Sequence, residues 1–167
     1  MNSRGFEVIK KEVFISQCQF DEKYCLKLYE GIKLPHRKTK NSAGHDIYTY
    51  KELVINPNET IVVPTGVKAY MCQDEWLAIY IRSSFGFKYN IRLMNQVGVI
   101  DSDYYSNPDN DGHILVALQN HGNKKRVINE GEAFAQGVFQ KYLISEDDNV
   151  NNMRKSGIGS TDEEFRR

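Results

Sequence analysis

Short β-branched apolar runs that end at glycine- or proline-containing turns dominate the middle of this chain. The clearest are "TIVVPTGVKAYM" (60–71), "EWLAIYI" (75–81), "GHILVALQN" (112–120) and "EAFAQGVFQKYLI" (132–144). Pro64 and Gly66 divide the first run into two short strands around a turn, and the second run is apolar on both faces up to Ile81. Closely spaced short strands with such turns predict an all-β sandwich or jelly roll.

The two ends of the chain differ from this β region. Residues 1–144 are predicted to form one β domain, in which residues 1–33 are an N-terminal extension or strand. Within the extension, "FDEKYCLKLYEG" (20–31) predicts a short helix, because its apolar residues share one face and Gly31 can end it. Residues 145–167 are rich in Asn, Gly and charge, and we predict a flexible C-terminal arm that is either disordered or ordered by a ligand.

The charges of the chain balance, with 22 Lys plus Arg against 22 Asp plus Glu in 167 residues. This length suits one domain with a core, and the balance argues against a nucleic acid or an anionic membrane as partner. A local cationic site for a small anion stays open. No apolar run approaches the roughly 18 residues needed to span a bilayer, and the first residues lack the apolar core of a signal peptide. We expect a soluble cytoplasmic protein.

The three cysteines, Cys18, Cys25 and Cys72, form no C-x-x-C pair and no Cys/His cluster at zinc spacing. An odd number of cysteines in a chain of this kind is typical of a reducing compartment. We therefore predict buried or half-buried free thiols rather than a metal or redox site.

Two carboxylates, Asp101 and Asp103, follow an apolar run in the segment "NQVGVIDSDYY" (95–105). Acidic groups at the end of a buried strand are costly unless they are used or solvated. The chain has no G-x-x-x-x-G-K-[ST] phosphate loop, no G-x-S-x-G nucleophile elbow and no H-x-x-x-H pair among its four histidines. The carboxylates, hydroxyls, arginine and glycine amides that remain suit phosphate binding with Mg²⁺ and an activated water.

Five short segments, in the expected order, resemble the motifs of the trimeric dUTP diphosphatase (dUTPase) family. They are "LPHRKTKNSAGHDIY" (34–48), "RSS" (82–84), "NQVGVIDSDYY" (95–105), "GEAFAQGVF" (131–139) and "RKSGIGSTD" (154–162). The third segment is close to a full match and is the most specific. "VPTGV" (63–67) also matches a family segment between the first two motifs. The resemblance runs from Leu34 to Asp162.

The resemblance implies that Asp101 is the general base for the water that attacks the α-phosphorus of dUTP. A positioned base typically contributes roughly 10²- to 10⁴-fold in rate. Tyr104 would lie against the deoxyribose and exclude a ribose 2′-hydroxyl, whereas Asp103 would only face solvent. Uracil would lie on a hairpin. An amide side chain and backbone groups of the hairpin would match the hydrogen-bond donors and acceptors of uracil and mismatch those of cytosine. The uracil-binding residues would be Asn95, Gly98, Val99 and Ile100.

The same resemblance implies a site for the triphosphate and for Mg²⁺. Asp46 would contact Mg²⁺ through its water shell, because Mg²⁺ keeps several waters and takes most direct ligands from phosphates. Family members are jelly-roll homotrimers with sites between subunits, and the arm of one chain closes over a neighbouring site. We therefore expect a homotrimer. The triphosphate would be held by Arg82, Ser83, Ser84 and Gln136, and the arm would add Arg154, Ile158 and Gly159.

Two features depart from the family. Ile158 stands where an aromatic residue usually stacks on uracil, and residues 105–111 ("YSNPDND") form an insertion after Tyr104. One interpretation is that the insertion covers the site in place of the aromatic residue. The other is a solvent-exposed loop elongation, which chains tolerate well. The insertion is also a candidate contact for a protein partner.

Two alternatives accompany the dUTPase interpretation. A dCTP deaminase shares the fold and the Arg-Ser-Ser motif, but it would need a glutamate shortly after the third motif, and "DYYSNPDNDGHILVAL" contains none. A regulatory protein of dUTPase fold would use the insertion to bind a protein partner. The intact catalytic positions argue against an inactive scaffold and leave an added interaction role open.

Overall fold

The structure is a computed structural model that describes residues 3–150 and residue 154. Eleven strands and three helices lie within these residues. The strands are β1 Gly5–Val8, β2 His45–Tyr48, β3 Leu53–Ile55, β4 Thr60–Pro64, β5 Val67–Tyr70, β6 Glu75–Ile81, β7 Ile91–Leu93, β8 Gly98–Asp101, β9 Leu115–Asn120, β10 Arg126–Ile128 and β11 Ala133–Lys141. The helices are α1 Lys11–Gln17, α2 Glu22–Glu30 and α3 Ser83–Tyr89, and a 3₁₀ turn covers Ser102–Tyr104.

The strands pair antiparallel in four small sheets. The largest has the order β2-β11-β6-β8, a second has the order β4-β9-β7, and β1-β5 and β10-β3 form two-stranded sheets. The predicted mainly β fold is confirmed. The predicted division of residues 60–71 is also confirmed, because β4 and β5 flank a turn at Gly66, whose φ of 75° favours glycine.

One apolar core joins these sheets. It contains Ile47 of β2, Leu77 and Ile79 of β6, Leu118 of β9 and Phe134 of β11. Leu77, Ala78 and Ile79 of β6 are buried one after another, so both faces of this strand are covered, whereas β9 alternates between buried and half-buried residues. Each fully buried Leu, Ile or Phe side chain stabilises the fold by roughly 1.5–3 kcal/mol.

The N-terminal extension contains two helices. The predicted helix is confirmed as α2, which begins after Asp21, whose side chain accepts a hydrogen bond from the Tyr24 N–H at 3.0 Å, and ends at Gly31. Helix α1 was not predicted. Both helices pack in a second apolar cluster that contains Phe14 and Leu28. Within residues 3–150, no helix combines the length and the apolar character needed to cross a membrane.

The prediction of free thiols is wrong for two of the three cysteines. Cys18 and Cys25 form a disulfide, and Cys72 is free. The bond forms because Cys18 follows α1, Cys25 lies in α2, and the packing of the two helices places their Cα atoms 6.1 Å apart, a typical disulfide separation.

Candidate active site

The predicted uracil-binding segment is a tight turn that leads into an edge strand. The Val97 N–H donates to the Asn95 carbonyl at 2.6 Å, and Gln96 between them has a φ of 61°, an uncommon value for a residue other than glycine. The side-chain nitrogen of Asn95 lies 3.8 Å from the point where a Cβ on Gly98 would stand. The predicted hairpin is wrong in one respect, because β7 pairs with β9 and β8 pairs with β6, so the turn joins two sheets.

Strand β8 is the last strand of the four-stranded sheet, and β6 pairs with one of its edges. The backbone N–H and C=O groups on the other edge face no strand among residues 3–150. Backbone groups of successive strand residues point to opposite edges, so alternate residues of Gly98–Asp101 supply this open edge, and Val99 is 60% exposed. An open row of backbone donors and acceptors is a suitable surface for the polar edge of a base.

Asp101 ends β8, and the 3₁₀ turn that follows brings Asp103 and Tyr104 to the same place. A single guanidinium joins the three residues. Nη2 of Arg154 lies 2.5 Å from Oδ2 of Asp101, Nε of Arg154 lies 3.0 Å from Oδ1 of Asp103, and the guanidinium carbon lies 5.6 Å from the centre of the Tyr104 ring. Asp101 and the Tyr104 ring therefore border one small space. The prediction that Asp103 only faces solvent is wrong.

Tyr104 is fixed at its hydroxyl group. The side chain is only 6% exposed, its hydroxyl donates to the His113 carbonyl at 3.0 Å, and it accepts from the Asn110 side-chain amide at 2.8 Å. Full solvent exposure of the insertion is wrong for Asn107 and Asp111, which are buried, whereas Ser106, Pro108 and Asp109 are exposed. The interpretation of the insertion as a cover for the site stays a prediction.

A second group of predicted residues meets around Asp46. Gln136 of β11 lies opposite Asp46 of β2, and Nε of Arg82 lies 3.2 Å from Oδ1 of the buried Asp46 carboxylate. Gly44 leaves room for the Gln136 amide, since a Cβ at this position would collide with it. Cationic and amide donors thus converge beside a buried carboxylate, a set that binds phosphate oxygens well.

Ser83 and Ser84 begin helix α3 directly after Arg82. The Arg82 carbonyl accepts hydrogen bonds from the N–H groups of Phe85 at 2.9 Å and Gly86 at 3.3 Å, and the buried Phe85 ring anchors the helix in the core. The first N–H groups of a helix have no partner within it. The N–H groups of Ser83 and Ser84, which directly follow Arg82 in the chain, therefore have no acceptor within α3.

The structure brings the predicted residues together in two groups rather than one. Asp101 pairs with Trp76 near the start of β6, whereas Arg82 follows Ile81 at the end of β6. Trp76 and Arg82 are separated along the strand by roughly 20 Å. Within one chain, the residues around Asp101, here called the Asp101 group (Asp101, Asp103, Tyr104), therefore lie near one end of β6. The residues around Asp46, here called the Asp46 group (Asp46, Arg82, Gln136), lie near the other end. Ile158 and Gly159 lie outside the described residues.

Two residues of the site were not predicted. Nζ of Lys38 lies 3.5 Å from Oδ2 of Asp46, and the basic run within the first motif was a signal for it. Asn110 contacts the Tyr104 hydroxyl, and its only signal was the Asn-rich insertion next to Tyr104.

Known proteins share these features. The dUTPase family model matches residues 30–162. A deoxyuridine 5'-triphosphate nucleotidohydrolase of Lactococcus lactis subsp. lactis is 40% identical over 165 residues, which cover 96% of this chain and 99% of that protein. The crystal structure of dUTPase from Streptococcus mutans has a TM-score of 0.69 and 38% identity, covering 85% of this chain and 98% of that chain.

A more distant structure shares the fold at a TM-score of 0.66 and 18% identity, covering 91% of this chain and 99% of that chain. It is a mutant dUTPase from phage phi11 of S. aureus, described with a coordinated structural Mg(II) ion. The family match covers most of this chain, and the Lactococcus relative covers nearly all of it. The chain belongs to the dUTPase family.

Proposed function

We propose that the chain hydrolyses dUTP to dUMP and pyrophosphate, with Asp101 as the general base. A water oxygen bonds to the α-phosphorus, the bond to the bridging oxygen toward the β-phosphorus breaks, and pyrophosphate leaves. Asp101 accepts the proton that the attacking water loses. The observation that carries the proposal is that Asp101 and the Tyr104 ring border one space at the end of the β8 edge.

In this proposal, the open edge of β8 and the turn before it recognise the uracil base. Asn95 offers an amide, and alternate residues of the Gly98–Ile100 segment offer backbone donors and acceptors on the open edge of the sheet. A site built to hydrogen-bond one polar edge rejects a base whose donors and acceptors are exchanged, since buried groups would stay unpaired. Tyr104 packs against the sugar and leaves no room for a 2′-hydroxyl.

The Asp46 group holds the triphosphate. Arg82 donates to phosphate oxygens, Gln136 adds an amide, and the Ser83 and Ser84 groups extend the set. The buried Oδ2 of Asp46 has no hydrogen-bond partner among the described residues, which fits a contact with a water of a hydrated Mg²⁺. Arg82 and Lys38 already balance the charge of Asp46, so this carboxylate alone would hold Mg²⁺ weakly. The substrate phosphates would then supply the direct ligands of the ion. Bound Mg²⁺ would offset phosphate charge and polarise the phosphoryl group.

The complete site lies between chains of a homotrimer. The separation of roughly 20 Å along β6 supports this arrangement, because one nucleotide cannot place its α-phosphate beside both groups of the same chain. One chain then supplies Asp101, Tyr104 and the uracil-binding turn, and another supplies Arg82 and Gln136. Closed rings with such head-to-tail contacts are a common form of homo-oligomer.

A pyrophosphate-release assay across dUTP, UTP, dCTP and dTTP with Mg²⁺ tests the proposal. We expect dUTP to be strongly preferred, with dUMP as the nucleotide product. Equal turnover of UTP would contradict the role of Tyr104. Deamination of dCTP would overturn the proposed activity in favour of the deaminase alternative.

A further inference from the structure

We propose that Asn110 of the insertion is a positioning residue that fixes the Tyr104 ring and so sets the discrimination between deoxyribose and ribose. The proposal rests on the proposed role of Tyr104 against the sugar. In this proposal the insertion contributes to substrate selection at the site to which Tyr104 of the same chain belongs.

The Tyr104 hydroxyl uses both of its hydrogen-bonding functions. It donates to the His113 carbonyl at 3.0 Å and accepts from Nδ2 of Asn110 at 2.8 Å. The 3₁₀ turn holds the other end of the residue at its backbone. A ring fixed at both ends cannot tilt without breaking a buried hydrogen bond, and a buried polar group left without a partner is unfavourable.

The orientation of the Asn110 amide is itself determined. Its Oδ1 accepts from the Gly112 N–H at 3.1 Å and from Nδ2 of Asn107 at 2.8 Å. A backbone N–H can only donate, so the oxygen must face Gly112 and the nitrogen must face Tyr104. Asn107 is buried and also donates to the Tyr104 carbonyl at 2.9 Å, so the insertion holds Tyr104 at two points.

A buried ion pair attaches the insertion to the rest of the domain. Nζ of Lys68 lies 3.0 Å from Oδ2 of Asp111, and both side chains are buried. The Lys10 N–H donates to the same carboxylate at 2.8 Å. Because β5 and the N-terminal extension hold Asp111, the amide of the preceding Asn110 has a fixed base from which to act.

Small errors of position matter at such a site. Constellations that bind or react work within about 0.5 Å of their productive geometry. A looser Tyr104 ring would admit the extra hydroxyl of UTP while still packing against deoxyribose. Loss of the Asn110 contact should therefore change the use of UTP more than the use of dUTP.

The test is a double-mutant cycle with Asn110→Ala, Tyr104→Phe and the double variant in the full chain. The quantity measured is the ratio of kcat/KM for dUTP to that for UTP. We expect each single change to lower this ratio about tenfold, and the double variant to lower it no further, because both changes remove the same hydrogen bond. Pro108→Ala, in an exposed part of the same insertion, should leave the ratio unchanged.

Additive effects, or a folded Asn110→Ala protein whose ratio stays within about twofold of wild type, would overturn the proposal. If Asn110→Ala does not fold, Tyr104→Phe decides, because an unchanged ratio in that variant shows that the hydroxyl contact is irrelevant to selection. A wild-type chain that does not prefer dUTP to UTP would instead overturn the proposed function. The two failures are therefore distinguishable.

Discussion

Arg154 and Asp101 form a short charge-assisted hydrogen bond of 2.5 Å across the candidate site. Burial works to lower the pKa of Arg154, but its hydrogen bonds to Asp103 and Asp101 and their charges outweigh burial and hold the pKa above its ordinary value. Arg154 therefore stays charged and, without substrate, neutralises the proposed base. In the proposed mechanism, an entering nucleotide replaces this ion pair with contacts to its own phosphates, which then also balance the charge of Arg154.

Asp101→Asn should lower kcat by at least roughly 10²-fold, because an amide cannot accept the proton of the attacking water. The amide oxygen can still accept a hydrogen bond from Arg154, so the fold and the affinity for a non-hydrolysable dUTP analogue should persist. Single-turnover kinetics and titration with that analogue measure the two quantities separately.

Asp103→Asn is a matched control for this change. Its side chain is 51% exposed against 49% for Asp101, and both carboxylates contact the same guanidinium. It should keep kcat within about threefold of wild type, since a half-exposed ion pair contributes little. Equal losses in both variants would assign the effect to Arg154 rather than to a base at position 101.

Arg82→Ala should weaken binding of the triphosphate rather than of the nucleoside. The dissociation constant of a non-hydrolysable dUTP analogue should rise roughly ten- to hundredfold, since a hydrogen bond to a charged group is lost. That of dUMP should change little. Arg92→Ala, which removes an exposed arginine from β7, is the control. A similar loss for dUMP and for the triphosphate would contradict the role of Arg82.

The local features of the fold could be predicted from the sequence. Helix α2 was found because Asp21 and Gly31 mark its ends, and β4 and β5 were found because Pro64 and Gly66 separate them. Such signals act between residues that are close in the chain. Helix α1 has no side-chain cap at Lys10 and depends instead on burial of Phe14, a contact that the local sequence does not reveal.

Features that depend on distant partners could not be predicted. The turn at Gln96 was expected to join two mutually paired strands, but β9 pairs with β7 and β6 pairs with β8. Asn110 reaches Tyr104 only because Asp111 is held by Lys68, which lies 43 residues away in the chain. The charge of Arg154 was visible in the sequence, whereas its contact with Asp103 needed the folded path of the chain.

His113 should make the fold sensitive to acid. The ring is buried, its Nε2 accepts from the Gly66 N–H at 2.8 Å, and its Nδ1 then donates to the Gln17 side chain at 2.7 Å. Burial lowers the pKa of His113 to about 4, against the raising effect of the nearby Asp111 charge. The neutral ring therefore fits this position, and the protonated ring does not.

The unfolded chain binds this proton at the ordinary histidine pKa near 6.5, so between about pH 6.5 and pH 4 it holds more protons than the folded chain. The free energy of unfolding should thus fall as the pH falls through this window, by about 3 kcal/mol from His113, and should not depend on His113 above it. Urea unfolding at several pH values measures the slope. His113→Gln should flatten it, whereas His121→Gln, at an exposed position, should not.

Mixing two impaired variants should raise activity above that of either variant alone if each site takes Asp101 from one chain and Arg82 from another. The Asp101→Asn chain keeps its phosphate-binding residue Arg82, and the Arg82→Ala chain keeps its general base Asp101. When equal amounts are unfolded and refolded together, random trimers should contain about one quarter of sites with both groups intact, because each of two neighbouring chains must be the suitable variant. Activity per chain should therefore approach about a quarter of the wild-type value, and separately refolded variants mixed afterwards are the control. Light scattering on the same samples reports whether trimers form. Sites contained within single chains would give no recovery, because every chain would lack one of the two residues, and that result would overturn the shared site.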